Sequence, residues 1–397
     1  MRRTKIIATL GPSCCDQETI QALLTSGVDV FRLNFSHGTA EERVRLVEII
    51  RHIATEQGKY VPIMGDIQGP KLRIGEVAGV IRLQNGATFT ITTQDTVGNA
   101  MLVSTPFENL PREVQIGQRI LINDGLVELV VTAIDETKVM TRVLHGGPIS
   151  SRKGMNFPDS ELSIPAITEK DREDVAFAVE HQLDYIAASF IRRRSDIVEL
   201  RDMLQTLGGS EINVIAKLEK AQAIDALEEI LEVSDGVMVA RGDLGVELPP
   251  EIVPIVQKKI LATASRWGKF AITATQMLES MTVSSRPTRA EASDVANAIF
   301  DGSDAVMLSA ETASGNYPVG VVQMMARIIM AAEQNGGLEA RATREPFRVI
   351  SESDVFTDAL AGAANYAAEQ LDAKFIVVFT QTGFAARLMS KFRPKQP

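Results

Sequence analysis

The stretch NVIAKLEKAQAIDALEEILEVSDGVMVARGD, residues 213–243, decides the fold. It reads as a short apolar strand (Asn213–Glu219), a stretch with helical period (Ala221–Val233) and a second strand (Asp235–Asp243). The same alternation recurs about eight times along the chain, and this predicts an α/β fold, a (β/α)₈ TIM barrel. The other predicted strands are Lys5–Gly11, Val28–Gly38, Val61–Gly69, Tyr185–Ile191, Phe270–Met277 and Ala305–Thr312.

One long segment departs from this alternation. Between about Pro70 and Pro165 the helical period is lost and apolar residues alternate with polar ones, as in a sheet with one buried face. Asn85–Gly86 and Asp124–Gly125 are typical hairpin turns. We therefore predict an all-β barrel domain at residues 70–165, inserted after the third strand of the barrel and able to act as a lid.

The remaining residues complete the predicted domain organisation. Residues 1–69 and 166–344 form the catalytic barrel. After it, a helix (Phe356–Leu371) and a strand (Lys374–Thr380) begin an α/β unit at residues 345–397. One strand cannot form a sheet by itself, so we expect this C-terminal domain to be incomplete.

Composition excludes several classes of protein. The 397 residues are 45% apolar and carry a formal net charge of −10, so neither a disordered chain nor a nucleic-acid surface is expected. No apolar run approaches the ~18 residues of a membrane span. The two cysteines, Cys14 and Cys15, are adjacent and cannot form a disulfide framework, which favours a reduced, cytoplasmic setting.

Functional groups follow most of the predicted barrel strands, at the end where such barrels hold their active sites. Lys217 and Glu219 are two residues apart and share one face of their strand, and Asp243 ends the next strand. Two carboxylates suit Mg²⁺, which takes one or two protein carboxylates and completes its shell with water and substrate oxygens. A structural cluster of ion pairs is the alternative interpretation of these three residues.

The second strand carries another polar face. Arg32, Asn34 and Ser36 alternate along it, and the Arg32 guanidinium suits a phosphate group. Asn34 and Ser36, with Asp66 from the third strand, offer oxygens for a monovalent cation, although they could equally cap the strand end. His37 is more simply a hydrogen-bonded neighbour than a base.

A glycine turn follows the sixth strand. Backbone N–H groups near Arg241, Gly242 and Asp243 open a helical stretch and could receive a substrate carboxylate. Thr275, at the end of the seventh strand, could bind the same carboxylate or simply bond to the backbone.

Several long phrases resemble the pyruvate kinase family. They are RLNFSHG (32–38), VMVARGDLGVE (237–247), ITATQMLESM (272–281) and RPTRAEASDVANAIFDGSDAVMLSAETA (286–313). The resemblance covers essentially the whole chain in the family's order. It implies phosphoryl transfer from phosphoenolpyruvate to ADP, giving pyruvate and ATP, in an oligomer that is a tetramer in the family.

The resemblance also implies ligands for two cations. Glu219 and Asp243 fall on the ligands of Mg²⁺, for which Mn²⁺ can substitute. The potassium site of the family falls on Asn34, Ser36, Asp66 and the backbone of Ile67.

Roles in the reaction are implied in the same way. Arg32 binds the transferring phosphate, Lys217 stabilises the enolate, and Arg241, Gly242, Asp243 and Thr275 lie at substrate contacts. Thr275 is counted with the catalytic residues, and Ser309 and Glu311 fall on the region that delivers a proton to the enolate. Nucleotide contacts fall on Asn34, His37, Arg73 and Lys153.

Two departures from the family pattern affect these expectations. Many members read DTKGPE where this chain reads DIQGPK (66–71), so Lys71 replaces a carboxylate beside the potassium pocket. An ammonium group can supply the charge that K⁺ brings, and we expect activity without K⁺. Phe384 and Ala385 replace polar residues of the effector loop, so activation by sugar phosphates is not expected.

Two alternatives from other classes are consistent with part of the pattern. A Mg²⁺-dependent aldolase or lyase would share the carboxylates and an enolate, but would give no reason for Arg73, Lys153 or the inserted lid. The other is a non-catalytic relative that binds a partner protein, which is expected only if the shortened C-terminal domain blocks assembly.

Overall fold

The computed structural model describes residues 2–335 and 352–397. Its strands, in chain order, are β1 (Lys5–Thr9), β2 (Val30–Asn34), β3 (Ile63–Ile67), β4 (Ile81–Arg82), β5 (Thr88–Thr92), β6 (Leu102–Ser104), β7 (Arg119–Ile122), β8 (Val127–Ile134), β9 (Lys138–His145), β10 (Pro148–Ile149), β11 (Met155–Asn156), β12 (Tyr185–Ala188), β13 (Asn213–Leu218), β14 (Gly236–Ala240), β15 (Phe270–Ala274) and β16 (Ala305–Leu308).

In the described part of the chain, the helices mostly follow the strands of the barrel, with one in the insert and the last two in the C-terminal segment. They are α1 (Gln17–Ser26), α2 (Ala40–Glu56), α3 (Leu110–Glu113), α4 (Glu169–Glu180), α5 (Arg194–Thr206), α6 (Ala221–Asp225), α7 (Leu227–Val233), α8 (Arg241–Glu247), α9 (Val253–Arg266), α10 (Arg289–Asp301), α11 (Ala310–Ala313), α12 (Pro318–Gln334), α13 (Glu352–Gln370) and α14 (Phe384–Lys391), with a 3₁₀ turn at Glu279–Thr282. None of the described helices is long and apolar enough to cross a bilayer.

Eight parallel strands close into the predicted barrel, in the order β1-β16-β15-β14-β13-β12-β3-β2. Its interior is filled by side chains such as Ile7, Met64, Ile215 and Met238, and a larger apolar layer lies between the strands and the helices. The barrel interior is therefore packed, and polar groups gather at the ends of the strands.

Local sequence explains why the helices begin where they do. Thr39, Thr168 and Thr288 each open a helix with a complete capping box, in which the threonine side chain and an acidic side chain three residues later bond to each other's backbone. These caps satisfy backbone N–H groups that a helix leaves unpaired.

The all-β insert lies between β3 and β12, as predicted. A six-stranded sheet, β11-β7-β8-β9-β5-β6, and the pair β10-β4 surround a separate apolar core that includes Phe89, Ile91 and Leu129. The insert thus has its own core and joins the barrel through two crossings of the chain.

The C-terminal segment differs from the prediction. Helices α13 and α14 pack together through Ala361, Leu388 and Met389, but residues 374–380 form no strand. Ile376 and Val378 face the helices, whereas Phe379 is 92% exposed. Half-buried and exposed residues alternate in this segment, as they do in a strand. A strand also needs a neighbouring strand to pair with, and the described residues offer none. The predicted boundary between residues 344 and 345 lies outside the described residues.

Candidate active site

Strand register brings the predicted metal ligands to one rim. β13 pairs with β14 so that Leu218 lies opposite Val239, and Glu219 and Asp243 follow these two strands. Lys217, on β13, lies 3.0 Å from a carboxylate oxygen of Glu219. Lys217 and Glu219 are thus in direct contact, and Asp243 follows the neighbouring strand.

Asp66 is the centre of the site. Its carboxylate accepts hydrogen bonds from Arg32 Nε (2.7 Å), Lys217 Nζ (3.0 Å) and Ser189 Oγ (3.4 Å). Lys217 also donates to Ser189 Oγ at 2.6 Å. Ser189 was not among the predicted residues. Its position just after β12 is the signal that could have found it.

Burial and charge compete at this centre. Burial acts to raise the pKa of Asp66, but Arg32 and Lys217 outweigh it and hold that pKa below its usual range. Burial also opposes the charge on Lys217, but Asp66 and Glu219 raise its pKa above the usual value. Lys217 therefore remains a cation near neutral pH, as the stabilisation of an anion requires.

The carboxylates fit a divalent cation. Burial raises the pKa of Glu219, against the effect of Lys217 and with repulsion from the nearby Asp243 carboxylate. One Glu219 oxygen accepts from the Phe190 N–H at 2.7 Å, which fixes its orientation. Residues 2–335 and 352–397 hold no cluster of three or more potential metal ligands, so further ligands would come from water and substrate.

The loop after β2 is held by hydrogen bonds within the loop and from helix α2. Asn34 Oδ1 accepts from the Ser36 N–H at 3.1 Å, and Ser36 and His37 are exposed. Arg43, buried on α2, donates to the carbonyl oxygens of Phe35 (2.9 Å), His37 (3.2 Å) and Gly38. Sequence reasoning missed Arg43, because an arginine in the first turn of a helix gives no signal of its target.

The turn after β15 has an unusual backbone. Thr275 and Gln276 have φ values of 69° and 51°, a region that residues other than glycine rarely adopt. The Arg241 guanidinium donates to the Thr275 carbonyl at 2.7 Å and pairs with Asp294. The Arg241 side chain is thus committed to this turn, which leaves only its backbone for a substrate. The Gly242 N–H already donates to Thr275 Oγ1 at 2.8 Å.

Two predicted residues follow β16. The Glu311 carboxylate is fully buried and accepts from the N–H groups of Ser309 (2.6 Å) and Leu278 (3.2 Å). Glu311 therefore ties the end of β16 to the turn after β15. Ser309 lies at the rim and is half-buried.

The remaining predicted residues lie at the insert's two crossings and on β3. Lys71 Nζ is 3.4 Å from Asp243 Oδ1, so the ion pair it forms is with a proposed magnesium ligand. Arg73 pairs with Gly154 in an isolated bridge and donates to the Arg152 carbonyl, which places it beside Lys153. Ile67, on β3, is buried.

Comparison with known proteins agrees with this arrangement. Residues 1–322 match the family model for the pyruvate kinase barrel domain, and residues 358–397 match the model for the pyruvate kinase alpha/beta domain. The chain is 43% identical to a pyruvate kinase of Bacillus licheniformis and 46% identical to pyruvate kinase 2 of Synechocystis. These matches cover 100% of this chain, which spans 68% and 66% of those relatives.

A solved structure shows the same fold. The crystal structure of a pyruvate kinase from Cryptosporidium parvum superposes with a TM-score of 0.93 at 40% identity, over 100% of this chain and 82% of that one. A similarity of this extent covers the barrel, the insert and the C-terminal helices together. The chain belongs to the pyruvate kinase family.

Proposed function

We propose that the chain transfers the phosphoryl group of phosphoenolpyruvate to ADP and forms pyruvate and ATP. The observation that carries the proposal is the contact of Lys217 with Asp66 and Glu219, at 3.0 Å each, on the rim that also holds Arg32. The two cations, Arg32 and Lys217, lie beside the carboxylates of Asp66 and Glu219. This arrangement favours the binding of a phosphorylated enol. Family membership supports the choice of substrates.

The reaction exchanges one bond to phosphorus for another. The bond between phosphorus and the enol oxygen breaks, a bond to a β-phosphate oxygen of ADP forms, and the enolate takes a proton at its terminal carbon. Arg32 would hold the phosphoryl group, and Lys217 would stabilise the negative oxygen of the enolate. Because both cations are already oriented by Asp66, little reorganisation would accompany the reaction.

Glu219 and Asp243 would hold Mg²⁺, with Mn²⁺ as a substitute. The bound ion would neutralise charge on the phosphoryl oxygens. Gly242 would give its N–H to the substrate carboxylate once Thr275 Oγ1 releases it.

Protonation of the enolate would take place near the strand ends after β15 and β16. Ser309 and Thr275 carry the hydroxyl groups there, and either could pass a proton through water to the carbon. The Glu311 carboxylate bonds to two backbone N–H groups, and this supports a positioning role for it. On the nucleotide side we assign Asn34, His37, Arg73 and Lys153 to ADP.

An assay for pyruvate tests the proposal. Phosphoenolpyruvate is supplied with and without ADP, and with and without Mg²⁺. We expect pyruvate only when both are present, with ATP formed in equal amount. An aldolase or lyase would ignore ADP, and a non-catalytic partner-binding relative would form no product; either result would refute the proposal.

Lys71 leads to a second, finer proposal, that the enzyme works without K⁺. The Lys71 ammonium would supply positive charge next to Asp243, where a carboxylate in the same position would need a cation. The rate in K⁺ should equal the rate in a tetraalkylammonium salt. In Lys71→Glu, K⁺ should raise the rate about tenfold or more, because a carboxylate restores a cation ligand. Strong activation of the unaltered chain by K⁺ would contradict the idea.

A further inference from the structure

A cavity of about 410 Å³ lies beside the site, between the insert and the barrel. Its walls are the two crossings of the chain, at 70–72 and 155–164, residues 190–193 after β12, and the segment from Lys220 to Glu229, which holds α6 and the start of α7. Leu72, Met155 and Phe157 form part of an apolar lining. Its volume falls in the usual range for small-molecule sites, roughly 300–1,000 Å³. Lys217, Glu219 and Arg32 do not line it.

The cations in the wall of this cavity are already paired. Each lies close to a carboxylate that is not part of the lining: Lys71 with Asp243 at 3.4 Å, Arg192 with Asp196 at 3.8 Å, Arg193 with Asp196 at 3.7 Å, and Lys220 with Glu247. Arg192 also donates to the carbonyl oxygens of Leu162 and Ile164. Arg192 and Lys220 are mostly buried and committed to these contacts, whereas Arg193 is 63% exposed and points its charge to solvent.

Four side chains of the cavity carry acceptor oxygens without a partner among residues 2–335 and 352–397. Glu161, Asp225 and Glu229 are exposed at its edge and have no ion pair or hydrogen bond to any residue of the described ranges. Within the same ranges, the side-chain oxygen of Gln222 is buried and accepts no hydrogen bond. An apolar cavity with an acidic edge and an unsatisfied acceptor is complementary to a cation that donates hydrogen bonds.

We propose that this cavity binds an organic ammonium ion with an apolar body. The apolar part would lie against Leu72, Met155 and Phe157. The ammonium group would lie at the edge among the three carboxylates and would donate to Gln222. Such a ligand would touch both crossings of the chain at once and so link the insert to the barrel. This inference does not depend on the proposed function, because binding is measured without turnover.

The test uses the full chain and two probes of one shape, 4-phenylbutylamine and 4-phenylbutanol. NMR titration is expected to give saturable binding of the amine with a millimolar dissociation constant, typical of a ligand of about eleven heavy atoms. The neutral alcohol should bind at least about fivefold more weakly, since it lacks the charge that the acidic edge attracts. Amide hydrogen exchange should slow at residues 70–72 and 155–164 when the amine is bound.

Variants locate the site. The double variant Glu161→Gln with Glu229→Gln should weaken amine binding about fivefold and leave binding of the alcohol unchanged. Glu48→Gln is the matched control, because it removes an exposed carboxylate on α2, which does not line the cavity. It should not change the affinity for the amine. Ala226→Trp fills the cavity and should abolish binding of both probes, with a melting temperature measured to check its fold.

Three results would overturn the proposal. They are equal affinity for the amine and the alcohol, amine binding that survives the double variant unchanged, and protection from exchange that falls outside the two crossings. Absence of saturable amine binding would do the same. The charge variants alter only exposed side chains, so they are informative even if Ala226→Trp does not fold.

Discussion

At the end of β13, Lys217 keeps its charge although its side chain is only 12% exposed. Two carboxylates make this possible, since the ammonium lies 3.0 Å from both Asp66 and Glu219. A buried cation is costly unless it is paired, and here the pairing also aims the charge at the rim. One residue therefore joins the buried charges of the site and is placed for the role that we propose for it.

Replacement of Lys217 by methionine should lower kcat for pyruvate formation by about 10²–10³-fold, because the enolate loses the cation that stabilises it. The measurement is steady-state kinetics together with the urea midpoint of unfolding. Lys217→Arg keeps the charge and should retain more activity than Lys217→Met. The exposed Lys59→Met is the control. A kcat of Lys217→Met within about threefold of the unaltered chain would refute the role.

At the scale of elements, side chains from helices hold the loops at the rim. Arg43 on α2 donates to three carbonyl oxygens of the loop after β2 and pairs with Asp174 on α4 at 3.2 Å. Arg241, at the start of α8, donates to the Thr275 carbonyl and so holds the strained turn after β15. The loops are therefore positioned by side chains that bond to the loop backbone.

Arg43→Met should raise KM for ADP about tenfold and change kcat less, since the loop that carries Ser36 and His37 loses its support. It should also cost about 1–2 kcal/mol of stability, because the loop carbonyls and Asp174 lose a buried donor while Lys170 still pairs with Asp174. Arg43→Lys should restore part of the affinity for ADP and part of the stability. Arg45→Met, exposed on the same helix, is the control. An unchanged KM in a folded Arg43→Met variant would show that the loop needs no such support.

The stability of the insert is expected to depend on pH through Asp159. Asp159 accepts from Arg119 Nη2 at 2.8 Å and from the Arg119 backbone at 2.9 Å, and this lowers the pKa of Asp159. A lowered pKa of an acid means stability that is present above its usual value and lost as pH falls through the lowered one.

Asp159→Asn should therefore lower stability by about 0.5–1 kcal/mol at pH 7, a modest value because the pair is partly exposed. The difference from the unaltered chain should disappear near pH 2. Urea unfolding at both pH values measures it, with Glu136→Asn as an exposed control in the same domain. A difference that grows on acidification would contradict the assignment.

At the scale of the whole molecule, one residue joins the two crossings between barrel and insert. Asp171, fully buried on α4, accepts from the Gly69 N–H at 3.0 Å and from the Thr168 N–H at 2.9 Å. Gly69 has a φ of +66°, and a Cβ there would lie 2.9 Å from the Ser189 carbonyl oxygen. The first crossing therefore begins at a fixed glycine, and Asp171 connects it to the start of α4, which follows the second crossing.

Asp171→Asn should loosen this connection, because an amide can accept at only one of the two oxygen positions. We expect a loss of about 1–3 kcal/mol and faster exchange of the Gly69 and Thr168 amide protons. Urea unfolding and hydrogen exchange measure these, with Glu173→Gln on the same helix as control. Exchange that speeds up at Thr168 alone would mean that Asp171 acts only as a helix cap.

Much of the fold could be predicted because its signals are local. The period of two along β2 and β13 sets which side chains share a face, and the threonine caps mark where helices begin. The end of a parallel strand is also a local feature, so Lys217 and Glu219 could be assigned to one rim before any coordinates were known.

Contacts between distant segments could not be predicted in this way. Three contacts of this kind depend on how separate elements pack. They are the hydrogen bond between Ser189 and Lys217, the ion pair between Lys71 and Asp243, and the hydrogen bonds from Arg43 to the loop after β2. The segment 374–380 carries a strand pattern and still forms no strand, because pairing needs a neighbour. The sequence by itself determined the barrel and which residue types line its rim, since these follow from spacing along one strand. Only the tertiary structure decided which charges meet, because side chains far apart in sequence become partners only when the barrel closes.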